Sequence, residues 1–321
     1  MLKILLSCDA SNRNHLDLKY KLLKECVQGE YPIGIEIFEY WNRAFDPQLI
    51  KSIKNNLADL LEDIDLSFHA PFTNRIGNWK QNYFSSKEGF NNLIKAFDAA
   101  ESLGANTVNL HTSFLHSYDE LKKINEGNLE EYRQGLINNV ADTLDIIRDS
   151  YSQKICIESM PYDWAQETAR DPAEMIYDIC FVEIKDFLKV VNPRKNIFAT
   201  IDTAHSASFY DSSEMLQEIK RLEGGLGHAH LSDLGGIWKP FISLSREGLI
   251  PGNGRIGERV FRELLGYFFR FSEKQDLGIV IETRDASYLE LRETRESLNR
   301  IMKWLDEAKK YKVTHCATSL L

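Results

Sequence analysis

Cysteine is scarce in this chain, and its pattern is not that of a disulfide-bonded protein. The five cysteines are odd in number, lie far apart and never form a C-x-x-C pair. Such a pattern indicates reduced thiols in a reducing compartment. No linker, low-complexity stretch or repeat longer than a strand–helix unit interrupts the chain, so we expect a single domain over residues 1–321.

Long apolar runs are also missing. None approaches the length that crosses a bilayer, and the N-terminus enters a strand after one lysine, without the apolar stretch and small-residue cleavage site of a signal peptide. These absences predict a cytoplasmic protein without a membrane partner.

Positive charge is in deficit, with a formal net charge of −9. A negative surface gives no attraction for a polyanion, and the loops lack the dense basic stripe that a duplex usually requires. A nucleic-acid partner is disfavoured on this ground, although a local basic rim would still be compatible with it. Composition is otherwise ordinary, with 43% hydrophobic residues, which is ample for one large core.

Eight short apolar runs do recur along the chain, and seven of them end in, or just before, a side chain that can bind a metal. A buried parallel strand reads as such a run, so its last polar residue is the first group to emerge from the core. The runs are 2–8, 33–38, 64–69, 107–111, 154–159, 197–202, 227–233 and 278–283. The seven side chains are Glu36, His69, His111, Glu158, Asp202, His230 and Glu282.

Segments of helical period alternate with these runs. They are 16–28, 47–61, 87–103, 128–150, 173–191, 212–223, 257–274 and 288–310. Eight strand–helix units predict an α/β fold in which the parallel sheet closes as a (β/α)8 TIM barrel. Gly34, Gly104 and Gly278 fall where a helix turns into the next strand, and we expect them to be left-handed helix caps.

The connections that follow the strands are long, and in barrel enzymes such connections carry the site. They cover 70–86, 112–127, 159–172 and 234–256. The short C-terminal tail, 311–321, has no partner in this scheme. Two alternatives stay open for it: the tail packs on the barrel, or it remains loose.

Carboxylates buried side by side are strongly unfavourable unless protons or a cation neutralise them, and imidazoles among them supply neutral donors to the same cation. The converging strand ends therefore predict a site for a divalent metal such as Zn, Mn, Mg or Co, with no organic cofactor.

Seven phrases, in order along the chain, carry a resemblance to a known family. They are HAPF (69–72), VNLHTS (108–113), IES (157–159), DTAHS (202–206), GHAHLSD (227–233), PGNGRIG (251–257) and IETR (281–284). With these phrases the chain resembles the xylose isomerase-like barrels, which include sugar isomerases, sugar epimerases and the endonuclease IV-like enzymes of AP endonuclease family 2, which cut DNA at abasic sites.

The resemblance to the epimerase branch implies roles for particular residues. The metal ligands would be Glu158, Asp202, His230 and Glu282, and the two glutamates would also move protons as the catalytic pair. His205 matches a position that contacts substrate. In the endonuclease branch, two histidines matching His69 and His111 hold a second metal together with the glutamate that matches Glu158.

The endonuclease branch completes a third metal site with the residue that matches His205 plus an Asp and a His before a Gly-x-Gly (252–254 here), and this chain has Arg246 and Gly248 at the places of that Asp and His. That departure favours an isomerase or epimerase acting on a small sugar, sugar phosphate or polyol. The alternatives are a metal-dependent phosphodiesterase of the abasic-site type and a non-catalytic ligand-binding barrel. In an isomerase or epimerase, His69 and His111 would be either the remnant of a second metal site or hydrogen-bonding partners of substrate hydroxyls.

Further substrate contacts are expected from residues near the same rim. Asp233 either orients His230 or binds substrate, while Arg246 and Arg284 are candidates to hold a phosphate or carboxylate. Glu36 and His228 are expected to lie deeper, as buried groups that support the site. The partner is a small-molecule substrate, and homo-oligomerisation is left open.

Overall fold

The computed structural model describes residues 1–38, 46–71, 83–84, 86–112, 114–125, 127–161, 176–235, 247–287 and 289–318. In chain order, the described strands are β1 (Leu2–Cys8), β2 (Ile33–Phe38), β3 (Asp65–His69), β4 (Thr107–His111), β5 (Leu115–Ser117), β6 (Lys154–Glu158), β7 (Ile176–Asp178), β8 (Ile197–Asp202), β9 (Leu226–Leu231) and β10 (Leu277–Ile281).

Eight of these strands form a closed parallel barrel in the order β1-β2-β3-β4-β6-β8-β9-β10, with β10 paired back onto β1. The expected (β/α)8 barrel is therefore confirmed, and every apolar run of the sequence became one of its strands. The remaining two strands, β5 and β7, form a separate antiparallel pair.

The described helices are α1 (Arg13–Val27), α2 (Pro47–Leu57), α3 (Lys87–Leu103), α4 (Tyr118–Asn125), α5 (Leu129–Ser150), α6 (Ile184–Val190), α7 (Thr203–Phe209), α8 (Ser212–Arg221), α9 (Glu258–Phe271) and α10 (Arg292–Thr318). The main apolar core lies between the barrel and these helices, where Phe97, Phe261 and Leu298 are fully buried. Within the described residues, no helix is both long and apolar enough to cross a membrane.

The barrel axis is polar. Side chains alternate across a strand, and the inward set includes Glu36, Ser67, Asn109, Thr200 and His228, none more than 2% exposed. Buried polar groups require partners, and here they bond to one another: Ser67 donates to Glu36, and Thr200 donates to Asn109. This hydrogen-bonded layer lies directly beneath the polar strand ends.

Two predicted segments differ from the structure. The helix expected over 173–191 is confined to α6, because the chain before it forms β7 and is held by Asp178, whose carboxylate accepts the amides of Phe114 and Cys180. The connection 112–127 contains β5 and α4. Much of the other long connections lies outside the described residues.

The C-terminal tail expected over 311–321 is not a separate segment as far as the chain is described, because α10 continues to Thr318. The four cysteines whose side chains are described, Cys8, Cys26, Cys156 and Cys180, are free thiols, as the spacing predicted.

The expectation that three glycines cap helices was right for only one of them. Gly104 ends α3 in the left-handed conformation, with φ of 79°. Gly34 and Gly278 lie inside strands instead, where a side chain would collide with the neighbouring strand: a Cβ at Gly34 would be 2.5 Å from the carbonyl oxygen of Asp65. These two glycines are needed for close approach rather than for a turn.

Gly34→Ala should therefore destabilise the barrel by about 1–3 kcal/mol, because the colliding atom is backbone and cannot move without breaking the β2–β3 ladder. Urea unfolding measures the difference. The matched control is Gly135→Ala on the exposed side of α5, where a Cβ meets nothing within 4 Å. The control should gain roughly 0.5–1 kcal/mol, and equal effects of the two substitutions would contradict the argument.

Candidate metal centre and its cavity

Four strand-end side chains converge at the carboxyl end of the barrel because strand register aligns them. Asp202 is paired with His230 across β8 and β9, and Glu282 follows the residue that ends β10. His230 Nδ1 lies 3.3 Å from Glu158 Oε1, 3.5 Å from Glu282 Oε1 and 3.9 Å from Asp202 Oδ2. The four side chains that the sequence selected for one cation are thus within reach of one another.

The donor set fits a divalent cation. His230 Nδ1 is completely buried and has no hydrogen-bond partner within the described residues, although three carboxylates surround it. One imidazole nitrogen and carboxylate oxygens from three residues are ligands that zinc, manganese and related cations accept. Possible ligand atoms of Asp202, His230 and Glu282 all lie within 4.8 Å of one another.

The opposite nitrogen of His230 faces the barrel axis. His230 Nε2 lies 2.9 Å from Glu36 Oε1, while Glu36 Oε2 accepts hydrogen bonds from Ser67 and from His228 Nε2. A carboxylate behind a histidine fixes which ring nitrogen carries the proton and how the ring is oriented. Glu36 and His228 are therefore buried supports beneath the site, as expected from their inward positions.

A second group lies beside the first. His69 Nε2 and His111 Nε2 are each 3.2 Å from Glu158 Oε2, and the two rings are 4.9 Å apart between centroids. Glu158 is paired with His111 across β4 and β6, which explains their contact. Asn109 donates to the same Glu158 oxygen from one layer below. His69, His111 and Glu158 have possible ligand atoms that all lie within 4.8 Å of one another, as in the first group.

The two glutamates differ in their electrostatic surroundings. Burial raises the pKa of Glu282 to about 7; His230 opposes the rise, and Asp202 and Glu158 add to it. For Glu158, burial acts in the same direction, but the imidazoles of His111 and His230 outweigh it and hold its pKa well below the usual value. Without a cation, one glutamate is thus ionised and the other close to half-protonated near neutrality.

His205 is brought to the site by a short helix. Asp202 caps the N-terminus of α7 by accepting the His205 amide at 2.7 Å, which turns the chain so that His205 faces the cluster three residues later. Its Nδ1 bonds to the Ser159 carbonyl at 2.8 Å and lies 3.3 Å from Glu158 Oε1. Burial would lower the pKa of His205, but Asp202, Glu158 and Glu247 hold it well above the usual value.

Glu247 was not selected from the sequence. Its Oε2 lies 3.5 Å from His205 Nε2, and its Oε1 pairs with Arg284 at 2.5 Å. The Arg284 guanidinium, 56% exposed, is thereby held at the cavity rim by a carboxylate. The sequence did contain a signal that could have identified Glu247: it lies between Arg246 and Gly248, shortly before the Gly-x-Gly. Arg246 itself lies outside the described residues.

An open cavity of about 450 Å³ lies above the cluster. It is lined by most of the predicted site residues together with others from the β1 and β10 ends. Its lining includes Ser7, Asp9, Lys19, Glu247, Glu282 and Asp285. Such a volume suits a small polar ligand.

Asp233 does not line this cavity, which corrects the expectation that it contacts substrate or orients His230. Its buried carboxylate instead accepts the amides of Leu234, Gly252, Gly254 and Ile256 at 2.8–3.0 Å. Asp233 therefore holds the loop that carries Glu247 and the Gly-x-Gly. A Cβ at Gly254 would meet the Asp233 carboxylate at 2.5 Å, so glycine is required there.

Fold and site together define a (β/α)8 barrel that carries a cluster of histidines and carboxylates at the carboxyl ends of its strands. The model of the xylose isomerase-like TIM barrel family matches residues 33–308, and the chain belongs to that family. No curated protein matches the chain.

Several solved structures have the same fold. A D-tagatose 3-epimerase-like protein superimposes with a TM-score of 0.62 at 18% identity, covering 96% of this chain and 99% of its own. An L-ribulose 3-epimerase gives a TM-score of 0.61 at 14% identity over 98% of each chain. The E. coli 3-keto-D-glucoside 4-epimerase gives 0.59 at 15% identity, over 94% of this chain and 100% of its own. At these identities the likeness establishes the fold.

Asp233→Asn should destabilise the protein by about 2–4 kcal/mol. The wild-type carboxylate accepts hydrogen bonds from several backbone N–H groups, whereas the side-chain NH₂ of asparagine would place a second donor against some of them. Thermal and urea unfolding measure the loss. Asp211→Asn is the matched control: this exposed residue caps α8 through the amides of Ser213 and Glu214, and Asn caps equally well. Similar losses for both variants would refute the loop-holding role.

Cation affinity should fall on acidification. Glu282 has to lose its proton to bind a cation, and its pKa is raised to about 7, so below that pH each unit should weaken binding roughly tenfold per displaced proton. Above that pH the dependence on Glu282 should level off. Calorimetric titration of Mn²⁺ into metal-free protein at several pH values measures this effect. Glu282→Gln, which removes the titrating group, should show a shallower dependence; identical profiles would contradict the assignment.

Proposed function

We propose that this chain is a divalent-metal-dependent isomerase or epimerase that acts on a small sugar, sugar phosphate or polyol. The observation that carries the proposal is the placement of two glutamates, Glu158 and Glu282, with oxygens 3.3 and 3.5 Å from the same buried His230 nitrogen. Proton transfer at a carbon next to a carbonyl needs a base and an acid held in fixed positions around one centre, and two such carboxylates meet that need.

Glu158, Asp202, His230 and Glu282 would hold the cation. A bound divalent cation polarises a carbonyl and its neighbouring hydroxyl and so acidifies the proton on the carbon between them. Glu158 is buried to 1% exposure and braced by Asn109, which keeps its carboxylate in place. Glu282 is 24% exposed and faces the cavity, where it can exchange a proton with a bound molecule.

The chemical roles follow from these positions. One carboxylate removes the proton from carbon and keeps it, and the other, which starts protonated, delivers a different proton to the opposite face, which inverts that centre; a single carboxylate that moves the proton between neighbouring carbons gives isomerisation instead. His205, with its raised pKa, is a hydrogen-bond donor to a developing negative charge on oxygen. The similar structures, two sugar epimerases and one D-tagatose 3-epimerase-like protein, support this class.

A panel of free ketoses and their phosphate esters, incubated with protein loaded with Mn²⁺, Co²⁺, Zn²⁺ or Mg²⁺, tests the proposal. We expect stereoisomer formation with at least one ketose, lost on chelation and restored by the metal. Absence of turnover with every sugar by protein that binds the cation would overturn it.

Glu282→Gln should keep the fold and abolish turnover, because an amide still coordinates weakly but cannot accept a proton. A loss of about 10³-fold or more in kcat, with some loss of metal, is expected for removal of a general base that is also a ligand. The control is Glu290→Gln, an exposed glutamate on the same connection that pairs with Arg292 and should retain full activity. Normal activity of Glu282→Gln would disprove the acid–base role.

A metal-dependent phosphodiesterase is the second candidate, favoured by one observation. His69, His111 and Glu158 form a second ligand-capable group beside the first, and two neighbouring cations suit in-line attack on a phosphate. Burial lowers the pKa of His111 to about 4, so its imidazole is neutral and able to coordinate near neutrality.

The chain should nevertheless fail to cut abasic DNA at the rate of an endonuclease, because Arg246 and Gly248 stand where that branch has two more ligands. Arginine stays protonated and repels a cation. A cleavage assay on an abasic duplex with Zn²⁺ or Mn²⁺ measures this, with an intact duplex as control. Efficient, metal-dependent incision together with two or more tightly bound ions would favour the phosphodiesterase.

A further inference from the structure

A buried lysine lines the same cavity on the β1 and β10 side. Lys19 projects from α1 and is 5% exposed. Its ammonium donates to Thr294 Oγ1 at 3.2 Å and lies 3.7 Å from Asp285 Oδ2. Asp285 also lines the cavity, three residues beyond Glu282 on the connection after β10.

Lys19 is not the only group that holds Asp285 in place. Asp285 is already held by the amide and the hydroxyl of Thr294, and a buried ion pair can often be replaced by apolar side chains without loss of stability. Burial lowers the pKa of Lys19, and Asp285 only partly offsets that cost. A group kept at such a cost next to a cavity is a candidate for ligand binding.

A second carboxylate faces this end of the cavity. Asp9 follows β1, which pairs with β10, so it lies on the same side as Asp285. Its Oδ1 accepts the amide and the hydroxyl of Ser11, and its Oδ2 makes no hydrogen bond within the described part of the chain. Ser7 adds a hydroxyl to the same wall.

The charges here select between kinds of ligand. The group contains one ammonium, that of Lys19, and two carboxylates, those of Asp285 and Asp9. Its net charge is therefore negative and would repel a phosphate. A sugar hydroxyl fits because it accepts a hydrogen bond from an ammonium and donates one to a carboxylate. At the rim, the Arg284 guanidinium is paired with Glu247 and adds no unbalanced positive charge.

We propose that Lys19, Asp285 and Asp9 form a subsite that binds the hydroxyl-bearing end of an unphosphorylated sugar. This end is remote from the carbons that would react beside the metal-ligand cluster. The subsite rests on the proposed function and narrows its substrate class to neutral sugars. It assigns Lys19 as a specificity-determining residue that contacts substrate.

The test compares three ligands of the Mn²⁺-loaded protein: D-fructose, its analogue that lacks the C6 hydroxyl remote from the carbonyl, and its 6-phosphate ester. The Kd of each is measured by calorimetry, and kcat/KM is measured where turnover occurs. The unaltered protein should bind D-fructose at least roughly tenfold more tightly than either derivative. Lys19→Met, which keeps the length of the side chain and removes the charge, should weaken D-fructose binding by about 10- to 100-fold and leave the deoxygenated analogue unchanged.

Lys21→Met is the matched control on the same helix, because Lys21 is 75% exposed and pairs only weakly with Glu25. It should leave all three affinities unchanged. Asp285→Asn, which keeps one acceptor oxygen for the amide of Thr294 and loses the acceptor for its hydroxyl, is a second variant in case Lys19→Met does not fold, and it should reduce the preference for D-fructose over the deoxygenated analogue in the same way.

Preservation of that preference in folded Lys19→Met and Asp285→Asn overturns the subsite while leaving the proposed function intact. Tighter binding of the phosphate ester by the unaltered protein also overturns it. If no member of the ketose panel is bound or turned over, the proposed function itself fails, and the subsite fails with it.

Discussion

Four carboxylates gather around one buried imidazole, and the rest of the site depends on how their charge is neutralised. Glu36 lies behind His230, while Glu158, Asp202 and Glu282 lie in front of it. Such a group is stable only with protons or a cation among its members. In the metal-free state protons fill that role, as the raised pKa values of His230 and Glu282 indicate. A divalent cation would replace those protons, which couples binding to pH.

The fold was predictable because its signal is repeated. Eight apolar runs became eight barrel strands, and residues 87–103 were predicted as a helix with the bounds that α3 has. The failures have local causes. A helical pattern over 173–191 gave way to β7 because Asp178 and strand pairing hold that backbone. Gly34 and Gly278 looked like caps, whereas the structure needs them where neighbouring strands or side chains approach closely, which a single sequence does not reveal.

The candidate site was predictable where strand ends supplied its residues. Parallel register places the last residues of neighbouring strands at one rim, and that rule brought His69, His111, Glu158, Asp202, His230 and Glu282 together. Residues that reach the site from elsewhere carried no such signal: Glu247 lies in a connection, and Lys19 reads as one charge in an amphipathic helix. Asp233 was expected to orient His230 or to bind substrate because of its neighbours in the sequence, but its role is set by loop amides that fold back onto it.

Hydrogen exchange at carbon is the most direct test of the two-glutamate account. A ketose that the metal-loaded protein converts should be incubated in D₂O and its epimer examined by NMR and mass spectrometry. The account predicts incorporation of one deuterium at the inverted carbon, dependent on the cation and lost in variants of Glu158 or Glu282. An epimer formed without deuterium at that carbon, or with it in the absence of both glutamates, would contradict proton transfer by this pair.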